Sequence, residues 1–400
     1  MLREEQIDIR RQRARNTLLT IENVGKNKVY SEYRVTNPQS KGQYEVSLRG
    51  VEVGDNTCTC PDFKSNTLGT CKHIEAVLEK LQSEGEQFKR RKATVTRPEL
   101  TLDYGTAQLR LRLQLPPRNS DRLVKLASEY FDATGNWHGG TNYKELIAAI
   151  ESTPEQVTVM SDALDFIDHE IERNDLARRE TELLAELASG EDSPLRHLLK
   201  IPLYDYQIRG AIFLASRMRC ILGDDMGLGK TVQTMAAIEL LARERGIRKV
   251  LVIAPASVKY QWETEIRKFT ERSVQVIEGL QDVRTQMYEA ESFYKLVNYE
   301  QVVRDFDLVA AWKADAIVLD EAQRIKNWEA KTSRVVKKLQ SRYALVLTGT
   351  PLENRLEELY SIVQFVDARR LGRGEDGGGL LQLGAGDERA VEVVDVAGRP

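Results

Sequence analysis

Residues 220–236 read CILGDDMGLGKTVQTMA: a short apolar run, a turn holding Gly223, Gly227 and Gly229, and then the opening of the helical pattern VQTMAAIELLARE. A Gly-rich turn from strand to helix lets backbone N–H groups approach phosphate oxygens, and the helix N-terminus adds positive potential. Within 224–231 the residues Asp224, Gly227 and Gly229 would shape such a cradle, Lys230 would reach terminal phosphates and Thr231 would ligate magnesium. The strict phosphate-loop pattern has Gly where Asp224 stands, so the stretch needs a second feature beside it.

That feature lies downstream. In AIVLDEAQ an apolar strand ends in Asp320 and Glu321, the arrangement expected of an acidic pair in which one carboxylate holds Mg²⁺ and the other orients an attacking water. Working outward, the runs CILG, VLVIAP, KLVNYE, AIVLDEA and ALVLTGTP alternate with helix-length segments from Cys220 onward. Short runs with apolar residues at every position suit a parallel α/β sheet covered on both faces. Each ends in polar, Gly or Pro residues, at the strand ends where open α/β sheets bind ligands.

A different chemistry is written near the start. Cys58, Cys60, Cys71 and His73 form CxC, ten intervening residues, then CxH. Three thiolates and one imidazole complete a tetrahedral structural Zn²⁺ site with no position left for water. Four cysteines cannot staple a chain of 400 residues, and three of them fall between positions 58 and 71, which points to metal rather than disulfides. Before them KVYSEYRV and QYEVSLRGVEV alternate apolar with polar around NPQSKG, predicting an antiparallel hairpin. After them IEAVLEKLQ has one apolar helix face.

Composition bounds the rest. Hydrophobic residues make up 41% of the chain and charged residues 30%, which excludes wholesale disorder. With 58 basic against 61 acidic residues the net charge is −3, so any nucleic-acid contact is local rather than a property of the whole chain. No run approaches a membrane span, and MLREEQIDIRRQRARN lacks the apolar stretch of a secretory signal, so a cytoplasmic location and no membrane partner are expected.

The expected fold class is therefore α/β: a parallel sheet with flanking helices, RecA-like by family resemblance, preceded by a small zinc-binding ββα module and a mixed linker region. The expected divisions are 1–83 for the zinc module, 84–199 for a linker or accessory region, 200–371 for the nucleotide-binding lobe and 372–400 for a tail. The basic run Lys89 to Lys92 reads as solvated linker. In the middle region LTLDYGTAQLRLRLQL looks strand-like and 161–188 mostly helical. Eight of the chain's 26 glycines fall in the last thirty residues, the composition of a disordered tail or of a shifted reading frame.

The zinc pattern with its hairpin and helix, over about residues 28–82, resembles the SWIM zinc finger, which implies an interaction module toward DNA or protein. The ordered set LYDYQIRG, DDMGLGKT, VIAPASVKYQWETE, LVNYE, DEAQRIKN and LTGTPLEN, from about Leu203 to Leu371, closely resembles the Swi/Snf-type ATPases of helicase superfamily two. The resemblance implies ATP hydrolysis with Mg²⁺ and translocation on double-stranded DNA. It implies that Gln207 contacts the adenine, that Lys230 and Thr231 bind the phosphates and magnesium, and that Asp320 and Glu321 are the metal and water-positioning pair. It further assigns Thr348, Gly349 and Thr350 to coupling between nucleotide and DNA, and Pro255, Ser257 and Trp262 to a segment facing the DNA strand. Nothing between Gly372 and Pro400 resembles the family's second lobe, so these residues are expected to carry the first lobe alone. A non-catalytic zinc- and nucleotide-binding interaction protein is the alternative. A DEAD-box RNA helicase is disfavoured, since LTGTP stands where SAT is expected and DEAQ where DEAD is.

Overall fold

A computed structural model of the chain describes residues 3–66, 68–85, 95–104, 109–190, 193–223, 227–325 and 330–348, with the short pieces 362–363, 365–366 and 393–394. The basic run at 89–92 lies outside these residues, as does the tail 372–400 apart from Val393 and Val394. The described residues form two compact units that divide between Glu172 and Arg173.

In the first unit the expected hairpin is the centre of a four-stranded antiparallel sheet: β1 (Thr20–Asn23), β2 (Glu32–Thr36), β3 (Gln43–Ser47) and β4 (Thr57–Cys58), paired in chain order. Alternation decides which side chains turn inward, so Tyr33 and Val35 of β2 and Val46 of β3 are buried. The region read as a linker holds more than that name suggests. Here β5 (Glu99–Asp103) pairs antiparallel with β6 (Arg110–Gln114) and parallel with β7 (Thr158–Val159). Leu100, Leu111, Leu113 and Leu146 share one core with Tyr33, Val46, Phe63 and the cysteines. The zinc pattern by itself has too few apolar residues for a core, and this second sheet supplies them. Arg49 adds a polar tie, donating through Nε and Nη2 to Glu99 at 3.2 and 3.0 Å.

The second unit is a seven-stranded parallel sheet. Its strands are β8 (Arg219–Leu222), β9 (Val250–Ala254), β10 (Val274–Val276), β11 (Tyr294–Asn298), β12 (Ala316–Leu319), β13 (Tyr343–Leu347) and β14 (Val393–Val394), in the order β10-β11-β9-β12-β13-β8-β14. The five expected runs are β8, β9, β11, β12 and β13, and all residues of β9, β12 and β13 are buried. Helices such as Lys230–Arg245, Lys259–Phe269 and Gln281–Glu289 connect consecutive strands, as parallel pairing requires. Register brings Leu319 level with Ile253 and with Val346, and Leu347 level with Leu222. The residues that follow β8, β9, β12 and β13 consequently emerge along one edge. The helix Ser161–Ala188 contributes Phe166 and Ile167 to the first core and Leu176, Leu183 and Leu187 to the second.

Candidate nucleotide and metal sites

The zinc pattern is gathered by local structure. Cys58 ends β4, Cys60 precedes the short helix Pro61–Asn66, Cys71 is the N-cap of the helix Lys72–Ser83, and His73 lies in that helix's first turn. All four are buried, and their ligand atoms lie within 4.8 Å of one another. Nδ1 of His73 is 3.9 Å from Sγ of both Cys58 and Cys71. Two backbone N–H groups donate to sulfur, Cys60 to Cys58 at 3.4 Å and Phe63 to Cys60 at 3.3 Å, the partners a thiolate prefers. Tyr44 packs on the His73 ring with centroids 4.7 Å apart.

Donation from Cys58 and then from Cys71 holds the Cys60 thiol far below its ordinary range. Hydrogen bonding to Cys60, together with burial, raises Cys58, and burial raises Cys71. The bare cluster thus favours one thiolate, and a divalent cation is what allows all three. Sulfurs about 2.3 Å from a tetrahedral Zn²⁺ sit roughly 3.8 Å apart, so the observed spread fits that ion after a small contraction.

On the sheet edge, Gly227 and Gly229 have φ of +88° and +71°, a region costly for any residue with a Cβ, and Gly229 is the N-cap of Lys230–Arg245. Lys230 and half-buried Thr231 open that helix. Asp224, Gly349 and Thr350 lie outside the described residues. Gln207 stands over the loop, since a Cβ on Gly229 would come 3.1 Å from its Nε2, while its Oε1 accepts from the Tyr204 N–H at 3.0 Å. Thr348 is buried where β13 ends, its N–H donating to Leu222 at 3.2 Å.

The acidic pair is held at many points. Asp320 donates its N–H to the Ile253 carbonyl at 2.9 Å, and its own carbonyl accepts from the Tyr299 hydroxyl at 2.7 Å. Its Oδ1 accepts from the Glu321 N–H at 2.9 Å and its Oδ2 from the Trp262 indole at 2.8 Å. Glu321 has φ of +50°, a conformation uncommon for a residue with a side chain, and its carboxylate accepts from the Gln323 amide. Burial pushes the Asp320 carboxyl above its ordinary range, with the Trp262 donor and the Lys230 charge acting in the opposite sense. A half-buried carboxylate beside a Gly-rich loop, with the Thr231 hydroxyl on the adjoining helix, fits a hard divalent cation such as Mg²⁺.

Three features escaped sequence reading. Trp262, assigned by resemblance to a DNA-facing segment, is only 1% exposed and points inward at Asp320, whereas Ser257 of the same segment is exposed. Gln323 anchors Glu321, so the fourth residue of DEAQ has a partner in the site. Gln233 is fully buried and donates to the Leu228 carbonyl of the loop at 3.1 Å. Its only sequence signal is position, two residues beyond the loop's Thr231.

Fold and edge geometry define an α/β lobe built on a parallel sheet flanked by helices, joined in sequence to a buried Cys₃His cluster of the kind that can hold a metal ion. Residues 163–376 match the SNF2-related domain and residues 44–82 the SWIM zinc finger. The chain belongs to the SNF2-related domain family. It is 36% identical over 177 residues to the human SWI/SNF-related matrix-associated actin-dependent regulator of chromatin subfamily A member 1, a match covering 41% of this chain and 17% of that protein. With the ISWI chromatin-remodeling complex ATPase ISW2 of Saccharomyces cerevisiae it shares 35% over 175 residues, covering 41% and 16%. The chain thus spans about a sixth of the length of these curated relatives. Among solved structures, the Sulfolobus solfataricus SWI2/SNF2 ATPase core in complex with dsDNA is similar at 36% identity and a TM-score of 0.42, covering 44% of this chain and 38% of that one.

Proposed function

We propose that this chain is the nucleotide-binding lobe of an ATP-driven translocase on double-stranded DNA, with a zinc-stabilised interaction module ahead of it. The observation that carries the reading is the meeting of Gly227–Lys230 with Asp320 and Glu321 on one edge of a parallel sheet in an SNF2-related domain. Backbone N–H groups at the start of Lys230–Arg245 and the Lys230 ammonium bind the phosphates, and Gln207, beside Gly229 of the loop, contacts the adenine as the family resemblance implies. Thr231 and Asp320 would hold Mg²⁺, which when bound neutralises charge on the transferring phosphoryl group. Glu321, its carboxylate oriented by Gln323, aligns the attacking water. Cys58, Cys60, Cys71 and His73 would hold Zn²⁺ as a structural ion. Duplex DNA as partner is supported by membership of the SNF2-related domain family.

The test is binding of a fluorescent ATP analogue, with phosphate release measured with and without duplex DNA. The 400-residue polypeptide is expected to bind ATP in a Lys230-dependent manner and to turn it over slowly. The family resemblance assigns the charge-stabilising arginine, worth about 10³ to 10⁵ in rate, to a lobe other than the nucleotide-binding one. DNA binding is expected to fall steeply with salt and to favour duplex DNA over RNA. Nucleotide binding unchanged in Lys230→Ala would defeat the reading.

A further inference from the structure

We infer that Trp262 is a positioning residue for Asp320: its indole N–H fixes the carboxylate in the orientation that a divalent cation requires. The inference rests on the proposed role of Asp320 as the metal-holding acid and adds a residue to that site. Trp262 is 1% exposed and sits in the first turn of the helix Lys259–Phe269, its own N–H bonded to the Val258 carbonyl at 3.1 Å. This helix follows β9, and Asp320 follows β12, the strand beside it; the indole crosses from one to the other and reaches Oδ2 at 2.8 Å. With the Glu321 N–H on Oδ1 at 2.9 Å, each carboxylate oxygen has one donor among the described residues, so the plane of the group is fixed.

The identity of the donor matters. An indole has one N–H, no acceptor and no charge. A lysine or arginine in its place would neutralise the carboxylate and compete with a cation, whereas the indole orients it and leaves its full charge. Among the described residues one donor per oxygen leaves each oxygen a further lone pair for an ion. Aromatic bulk alone would fill the space between helix and sheet without any of this, and that difference is testable.

The experiment uses the 400-residue chain with Mn²⁺ as the metal, ADP as the nucleotide and paramagnetic resonance as the readout of bound metal. Trp262→Phe keeps the bulk and removes the N–H. It is expected to raise the half-saturating Mn²⁺ concentration in the presence of ADP about tenfold, as loss of a partner to a metal-ligating group does. Metal-free ADP affinity should stay as in the parent chain. Asp320→Asn serves as the calibration and should lose most of the metal dependence. If Asp320→Asn weakens Mn²⁺ and a folded Trp262→Phe does not, Trp262 is only packing and the inference is wrong. If neither variant moves the metal curve, the metal role of Asp320 fails and takes the inference with it. Should Trp262→Phe not fold, ¹⁵N labelling of the four tryptophans decides. One indole N–H signal should shift both in Asp320→Asn and on adding Mg²⁺ with ADP to the parent chain, and four unresponsive signals would overturn the assignment.

Discussion

The side-chain amide of Gln233 donates to the Leu228 carbonyl at 3.1 Å, tying the phosphate-type loop to the helix that follows it, and Gly210 on the neighbouring helix is what admits that side chain. A Cβ at position 210 would lie 1.8 Å from Gln233 Oε1 and 2.8 Å from Cδ. Gln233 is fully buried and cannot swing aside without releasing Leu228. Gly210→Ala, which on helix propensity alone would stabilise by about 1 kcal/mol, is therefore expected to weaken ATP-analogue binding. Loss of one such bond corresponds to about 0.5 to 1.5 kcal/mol, or roughly two- to twelvefold in affinity. Fluorescence titration checks it, and undiminished affinity in a folded Gly210→Ala would show that the tie does not shape the loop.

Arg284 and Asp305 form a two-pronged ion pair at 2.6 and 2.7 Å with side chains only 6% and 3% exposed, and Arg284 also donates to the Gly279 carbonyl at 2.7 Å. Asp305 is the N-cap of the helix Phe306–Trp312. Removing the guanidinium strips that buried carboxylate of its two close donors and leaves it the exposed Arg304 at 4.0 Å, which costs up to about 3 to 5 kcal/mol. Arg284→Met should therefore lower the urea midpoint followed by tryptophan fluorescence, and adding Asp305→Asn should recover part of the loss. Equal midpoints for Arg284→Met and the parent chain would contradict this.

For the metal cluster, one equivalent of zinc is expected to survive dialysis, since structural sites of this kind bind with about 10 to 16 kcal/mol of apparent free energy. Cys58→Ser combined with Cys71→Ser should lose the ion and loosen the first unit, because the cysteines share a core with Tyr33, Val46 and Phe63. Acid should release zinc as protons compete for the three thiolates and the imidazole. Elemental analysis finding under half an equivalent in the parent chain would defeat the assignment.

What the sequence made legible follows from how local each determinant is. The zinc donors come in two close pairs, each delivered by one turn or one helix start, so spacing alone brings them into view. Strands β8, β9, β11, β12 and β13 are apolar because helices cover both faces. Val274–Val276 escaped notice because three residues at the edge of a sheet carry no period. The Trp262 contact was not legible, since it depends on Leu319 lying level with Ile253 in strands 65 or so residues apart. Likewise the 84–199 region gave weak signals because β7 joins β5 from more than fifty residues away. Determinants that span adjacent strands or helices need the register, which pattern reading does not supply.

Lys295 offers a test of burial through pH. It is fully buried in β11, and its ammonium donates to Gln275 Oε1 at 3.1 Å, to the Ala290 carbonyl at 2.7 Å and to the Met287 carbonyl, all neutral acceptors, with the Trp312 ring 5.2 Å away. These carbonyls stand at the C-terminal end of the helix Gln281–Glu289, where a cation is favoured. Burial nevertheless dominates and, helped by the charge of Lys249, pushes the group from 10.5 down to about 8. Between about pH 8 and 10.5 the unfolded chain therefore holds a proton here that the folded chain has released, so this group's contribution to stability rises with pH across that window and is flat below it. Lys337, also pushed down to about 8 by burial, adds to the rise, so the contribution of Lys295 is read as a difference. Urea unfolding of the parent chain and of Lys295→Met at pH 7, 8, 9 and 10 isolates it. The variant should show the shallower climb, whatever its stability at pH 7, because methionine has no proton to release. Parallel curves for the two proteins would mean that the carbonyl cage holds the ammonium charged throughout, and that burial is not what controls this lysine.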